Sequence, residues 1–203
     1  STNKKLAEPH FRNPQALAVV DGAAARVIAR PGLRSTTMDD IPVSLGMTKI
    51  VFYITSGSKD KLIESILEGV TNLFLHVDAL QIEKYGDRLN RYLGISRHHE
   101  DSARILLLQM PYDEKYKKQF KKLSRQLNKR TKRGLKKDKN GQTQGVIDVK
   151  SINESIVSFV LNSISRWLKN RKRNQDEEFV QWMSASRAAT ENPTTVDINN
   201  GSQ

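Results

Sequence analysis

Leu17, Val20, Ala24, Val27 and Ile28 recur at intervals of three and four residues, the spacing that gathers side chains on one face of a helix. Asn13 and Pro14 open this block as an N-cap and a first helical residue. Pro31-Gly32 closes it, because proline disfavours helical geometry in the residue before it. A short second helix follows. Thr37 is its N-cap, Asp39 and Asp40 sit in the first turn where the helix dipole favours negative charge, Ile41 and Leu45 point inward, and Gly46 stops it. Thr48 caps a third helix from Lys49 to about Thr55. Ser58 caps a long fourth, with Leu62, Ile63, Ile66, Leu67, Val70, Leu73, Phe74 and Val77 as its apolar stripe. Helical patterns continue over 87–94, 99–110, 112–134, 150–170 and 176–189, interrupted by Pro111 and by a polar, glycine-bearing loop at 138–145. No strand alternation or repeat is present, so the fold expected is all-α.

No linker separates the halves, and the domain boundary is expected inside the long fourth helix. The working divisions are a flexible arm over 1–12, an N-terminal helical domain over 13–58, a C-terminal helical domain over 59–190 and a disordered polar tail over 191–203.

Composition narrows the function. No apolar run approaches the roughly 18–20 residues that a membrane span needs; the longest, Ile105 to Met110, is broken by Gln109. The start of the chain lacks the apolar core of a secretory signal. Cysteine is absent, which excludes disulfides and thiolate chemistry and fits a reducing cytoplasm. The net charge of +12 favours a polyanionic partner. Much of it lies in one stretch: Lys115, Lys117, Lys118, Lys121, Lys122, Arg125, Lys129, Arg130, Lys132, Arg133, Lys136, Lys137 and Lys139, against Asp113, Glu114 and Asp138. These cations cover nearly every face of the helix. They form a solvated surface, an auxiliary DNA contact or a site for an anionic effector.

Residues 36–59 carry the sharpest chemistry. A capped helix, a turn at Gly46-Met47-Thr48 and a second short helix make a helix-turn-helix, with Ile41, Leu45, Met47 and Phe52 as its interlocking apolar residues. Gly46 supplies the turn without steric penalty. Thr48, Lys49, Ile50 and Val51 occupy the end of the second helix that enters a major groove. Lys49 can donate to guanine or phosphate there, and Ile50 or Val51 can touch a thymine methyl. Tyr53 and Lys59 can reach phosphates, and Arg34, Thr36 and Thr37 stand where further backbone contacts are made.

In Ala23, Gly32, Thr36, Thr37, Met38, Ile41, Gly46, Met47, Thr48, Phe52, Tyr53, Ser58, Lys59 and Leu62 the chain resembles the DNA-binding domain of the TetR family of bacterial repressors, over about residues 15–70. The resemblance implies a homodimer on double-stranded operator DNA, released by a small-molecule effector of unknown identity. It also implies a dimeric four-helix bundle from the last two long helices. Two positions depart from the pattern. Pro42 replaces the usual alanine, and a proline beyond a helix's first turn costs about 3 kcal/mol. Ser56 replaces an aromatic residue, and losing a buried aromatic costs about 3–5 kcal/mol.

On the family plan, Leu73, His76, Val77, Leu106, Leu107 and Met110 line an effector pocket; core packing explains them equally. Ile156, Val160, Ile164, Trp167, Phe179 and Met183 are the expected dimer interface. His98 and His99 are adjacent and cannot form a metal pair spaced four apart on a helix, so no metal is expected. No nucleophile motif, GxGxxG or phosphate-binding loop is present, and neither catalysis nor a cofactor is expected. A second reading stays open: a basic helical interaction module, with a degenerate helix-turn-helix, that binds acidic partners or nucleic acid nonspecifically.

Overall fold

The computed structural model describes residues 14–80, 85–137, 149–170 and 176–191. The arm over 1–12, the loop at 138–145 and the tail from 192 fall outside them. Among the described residues every regular element is helical. The helices are α1 (Pro14–Ala29), α2 (Asp40–Leu45), α3 (Lys49–Ser56), α4 (Lys59–Ala79), α5 (Tyr85–His98), α6 (Glu100–Arg104), α7 (Lys117–Lys137), α8 (Val149–Asn170) and α9 (Asp176–Glu191). A π-helical turn, Ile105–Gln109, and a 3-10 turn, Met110–Tyr112, follow α6. No described helix is long and apolar enough to cross a membrane.

The chain forms two compact units, one of residues 1–71 and 101–119, the other of 72–100 and 120–203. In the first, α1 packs on α2 and α3. Ala24, Ala25, Ile28, Ile41 and Phe52 are fully buried, the small alanines allowing close approach. Gln109 ties the π turn to the end of α1. Its Oε1 accepts the Leu33 N–H at 3.2 Å and its Nε2 donates to the Ala29 carbonyl at 3.3 Å. The Ala29 carbonyl is one that a helix C-terminus leaves without an intrahelical partner.

The basic helix begins at Lys117, not at Tyr112 as charge pattern alone suggests. The Asp113 carboxylate accepts the N–H groups of Lys115 (2.9 Å) and Tyr116 (3.2 Å). A short acidic side chain that bonds neighbouring backbone groups competes with helix formation and holds a turn instead.

In the second unit Leu89, Leu93, Leu123, Ile164, Leu168 and Met183 are buried, and the rings of Phe74 and Tyr92 pack in a tilted pair with centroids 5.8 Å apart. Asp78 is a buried charge among partners. Its Oδ1 accepts from Arg88 (3.2 Å) and from the Tyr92 hydroxyl (3.1 Å), and Arg130 Nε lies 3.1 Å from Oδ2. Burial pushes the Tyr92 hydroxyl far above the ordinary phenol range, with Asp78 adding to it. That phenol therefore stays a proton donor at every physiological pH.

Candidate nucleic-acid interface

The N-cap position of α2 is Asp39, not Thr37 as expected, and no side chain caps it; Asp40 instead folds back on Thr37. Asp40 Oδ2 accepts from both the backbone N–H and the hydroxyl of Thr37, each at 2.7 Å. Those two bonds hold the Asp40 carboxyl below its usual range. Gly46 ends the helix at φ 63°, a left-handed conformation that costs glycine little. The N–H groups of Gly46 and Met47 then close on the carbonyls of Val43 (3.3 Å) and Pro42 (3.0 Å). Thr48 takes extended geometry and accepts the Val51 N–H at 3.4 Å, starting α3. From α3, Phe52 and Ser56 turn inward.

Both departures from the motif are accommodated. Pro42 is the third residue of α2, inside the first turn, where a helix has no internal acceptor for the N–H that proline lacks. The penalty of an interior proline does not apply. Ser56 is buried, and its hydroxyl donates to the Phe52 carbonyl at 2.6 Å, so no polar group is stranded where the aromatic is missing.

The expected contact residues fall into three groups. Ile50, Val51, Thr48, Lys49 and Tyr53 are exposed on or beside α3. Lys49 pairs with Asp39 at 2.8 Å, and that carboxylate raises its pKa. The Tyr53 hydroxyl approaches the same carboxylate at 3.5 Å. Arg34 and Thr37 are also exposed; Arg34 lies 3.8 Å from Asp113. Thr36 and Lys59 face inward to the frame. The Thr36 hydroxyl donates to the Gly32 carbonyl at 3.0 Å. Lys59 Nζ donates to the carbonyls of Leu33 (2.8 Å) and Thr36, pinning the α1–α2 connection to the start of α4.

Beside this frame, Asp60 in the first turn of α4 accepts from Lys115 Nζ at 2.7 Å and from the Tyr116 hydroxyl. Both bonds lower the Asp60 pKa. Ile54 and Val43, which sequence reasoning left out of the interface, are exposed on the same motif. Their signal was the helical phase: Ile54 lies four residues after Ile50.

The other expected sites divide. Leu106, Leu107 and Met110 are buried in the first unit, whereas Val77 is buried and Leu73 and His76 are exposed in the second. Val160, Ile164 and Met183 are buried within this chain, and Ile156, Trp167 and Phe179 are half-buried. Trp167 Nε1 donates to Asp176 at 2.6 Å. The exposed aromatics of α8 and α9 are Phe159 and Trp182, with rings 5.5 Å apart. Among the described residues no group of three or more acidic or histidine side chains is placed to hold a metal.

No protein-family model matches this sequence, and no curated protein does. Solved structures match over nearly their whole length. A transcriptional regulator described as of the TerR/AcrR family, from Aquifex aeolicus VF5, superposes with a TM-score of 0.67 at 14% identity, covering 85% of this chain and 97% of that one. The chain has the fold of the TetR-type regulators. The TetR family transcriptional regulator PfmR from Thermus thermophilus gives 0.58 at 15% identity, over 90% and 97%. AibR, solved with isovaleryl coenzyme A and operator DNA, gives 0.59 at 21%, over 84% and 96%. In this all-helical fold α2 and α3 stand as the N-terminal helix-turn-helix.

Proposed function

We propose that this chain is a DNA-binding transcriptional regulator, a repressor released by a small-molecule effector. The observation that carries the reading is the capped helix-turn-helix, which turns Phe52 and Ser56 inward and exposes the opposite face of α3. Thr48, Lys49, Ile50, Val51 and Tyr53 meet the major groove and its rim. Arg34 and Thr37 meet backbone phosphate, while Thr36 and Lys59 hold the frame.

AibR supports the effector half, because a protein of this fold was solved with both an acyl thioester and operator DNA. The effector acts only through its different affinities for the DNA-fitting and non-fitting states. The regulator works as a homodimer in the cytoplasm, with α8 and α9 as the paired helices and the exposed Phe159 and Trp182 as the apolar surface for a second copy. Such a dimer sets its two reading helices about 34–36 Å apart, one turn of DNA.

Selection of bound genomic fragments at about 150 mM salt, where nonspecific phosphate binding is weak, tests this. One palindromic consensus is expected. Binding that ignores sequence would sink it and favour the second reading, a nonspecific polyanion binder. That reading has its own observation: residues 112–139 hold thirteen basic and three acidic residues, a net +10, while residues 34–61 hold four and three, a net +1.

A further inference from the structure

A helix that reads bases by hydrogen bonding must keep donors and acceptors unspent toward the groove. On α3 the polar side chains each already have a partner within the chain. Lys49 is paired with Asp39, and the Tyr53 hydroxyl turns toward the same carboxylate. The Thr55 hydroxyl donates to the Val51 carbonyl at 2.9 Å, and the Thr48 hydroxyl accepts the Val51 N–H. What the motif displays instead is branched aliphatic surface. Ile50 is 74% exposed, Ile54 62%, Val51 49%, and Val43 on α2 76%. Of the ten large apolar side chains exposed among the described residues, five lie between 43 and 54.

A clustered apolar patch marks a contact surface. An occupant that is apolar at the centre and anionic beside it fits, because the exposed cations Arg34 and Lys61 flank the patch in the chain. The floor and walls of a DNA major groove fit that description. On the base edges the one apolar group is the C5-methyl of thymine, and phosphates flank it. Ile and Val suit the task, since β-branched side chains have few rotamers to lose on contact.

We propose that α3 selects its operator by thymine methyl groups, each half-site placing A·T pairs where Ile50, Val51 and Ile54 enter the groove. The proposal rests on the regulator reading above.

The test uses the full chain and the consensus site recovered by selection at about 150 mM salt. Thymines in the half-site are replaced one at a time by uracil, which differs only in lacking the methyl. The expected result is a loss of about fourfold in affinity at each contacted position, the worth of one buried methyl-sized group. In Ile50→Ala or Ile54→Ala, exposed positions that the core does not need, the uracil penalty at the matching position should disappear while penalties elsewhere persist. A consensus whose affinity is unchanged by uracil throughout overturns the proposal and leaves the regulator reading standing. Absence of any consensus overturns both, and points to a protein as the occupant of the patch.

Discussion

Two single residues show how little separates tolerance from cost in this frame. Asp21 on α1 is half-buried; Ser65 donates to its Oδ2 at 2.6 Å, but its buried Oδ1 has no partner. Burial raises its pKa above the usual carboxylate value, against the smaller lowering effect of Ser65. A raised acid pKa means the folded state keeps its proton to higher pH than the unfolded chain does. Asp21 therefore works against stability above its folded pKa, and the penalty fades as pH falls toward the unfolded value of about 3.9. Asp21→Asn should stabilise the protein at pH 7 by about 1 kcal/mol, the modest cost of an imperfectly paired polar group, and by much less at pH 4. Thermal melts at the two pH values check this, and equal gains at both would refute it. Gly46 is the converse case. An added Cβ meets nothing within 4 Å, so only the positive φ opposes it. Gly46→Ala should cost about 1–2 kcal/mol in a urea titration, the price of a left-handed L-residue. A larger loss would mean that packing is involved after all.

Among the elements, the order of the helices was legible from the periodicity and the starts of α3 and α4 from their caps, whereas the start of α7 and the π turn after α6 were not. Thr48, Ser58 and Gly46 stand at the ends where their chemistry puts them, whereas α2 starts after Asp39 rather than at Thr37. The rest depends on partners far along the chain. Lys59 fits the motif, yet residue type cannot reveal whether its ammonium meets a phosphate or the carbonyls of Leu33 and Thr36. The apolar stripe of α8 is broad, so pattern alone could not separate Ile164, which the chain buries, from Phe159, which it exposes. Gln109 gave no signal at all, being nearly 80 residues from the backbone it holds. Because it satisfies two groups at once, Gln109→Leu should destabilise by about 1–3 kcal/mol, the cost of leaving part-buried donors and acceptors unmet. Denaturant unfolding measures it, and Gln109→Glu should recover only the Leu33 half of the loss.

For the whole molecule, the proposed regulator reading divides DNA affinity into two contributions, one from charge and one from shape. The helix-turn-helix segment is nearly neutral, and the excess positive charge sits on and around α7. Some of that charge is used within the chain, Lys118 on Glu64 and Arg130 on Asp78. Lys121, Arg125 and Lys129, spaced four apart on one exposed stripe, have no carboxylate partner among the described residues. Like charges at that spacing disfavour a helix slightly, so the stripe is not there for α7's own stability. It attracts any polyanion, and such attraction weakens with salt by a log–log slope of about 0.9 per phosphate neutralised. Replacing all three by glutamine should therefore weaken binding to random duplex DNA and flatten its salt dependence, by up to about three slope units if each meets a phosphate. The selected consensus should not change, because no base is read there. Ile50→Ala with Ile54→Ala should do the reverse, degrading the consensus while leaving the salt slope on random DNA intact. If the glutamine variant loses the consensus instead, α7 takes part in sequence recognition, and the division between a neutral reading motif and a basic attracting helix is wrong.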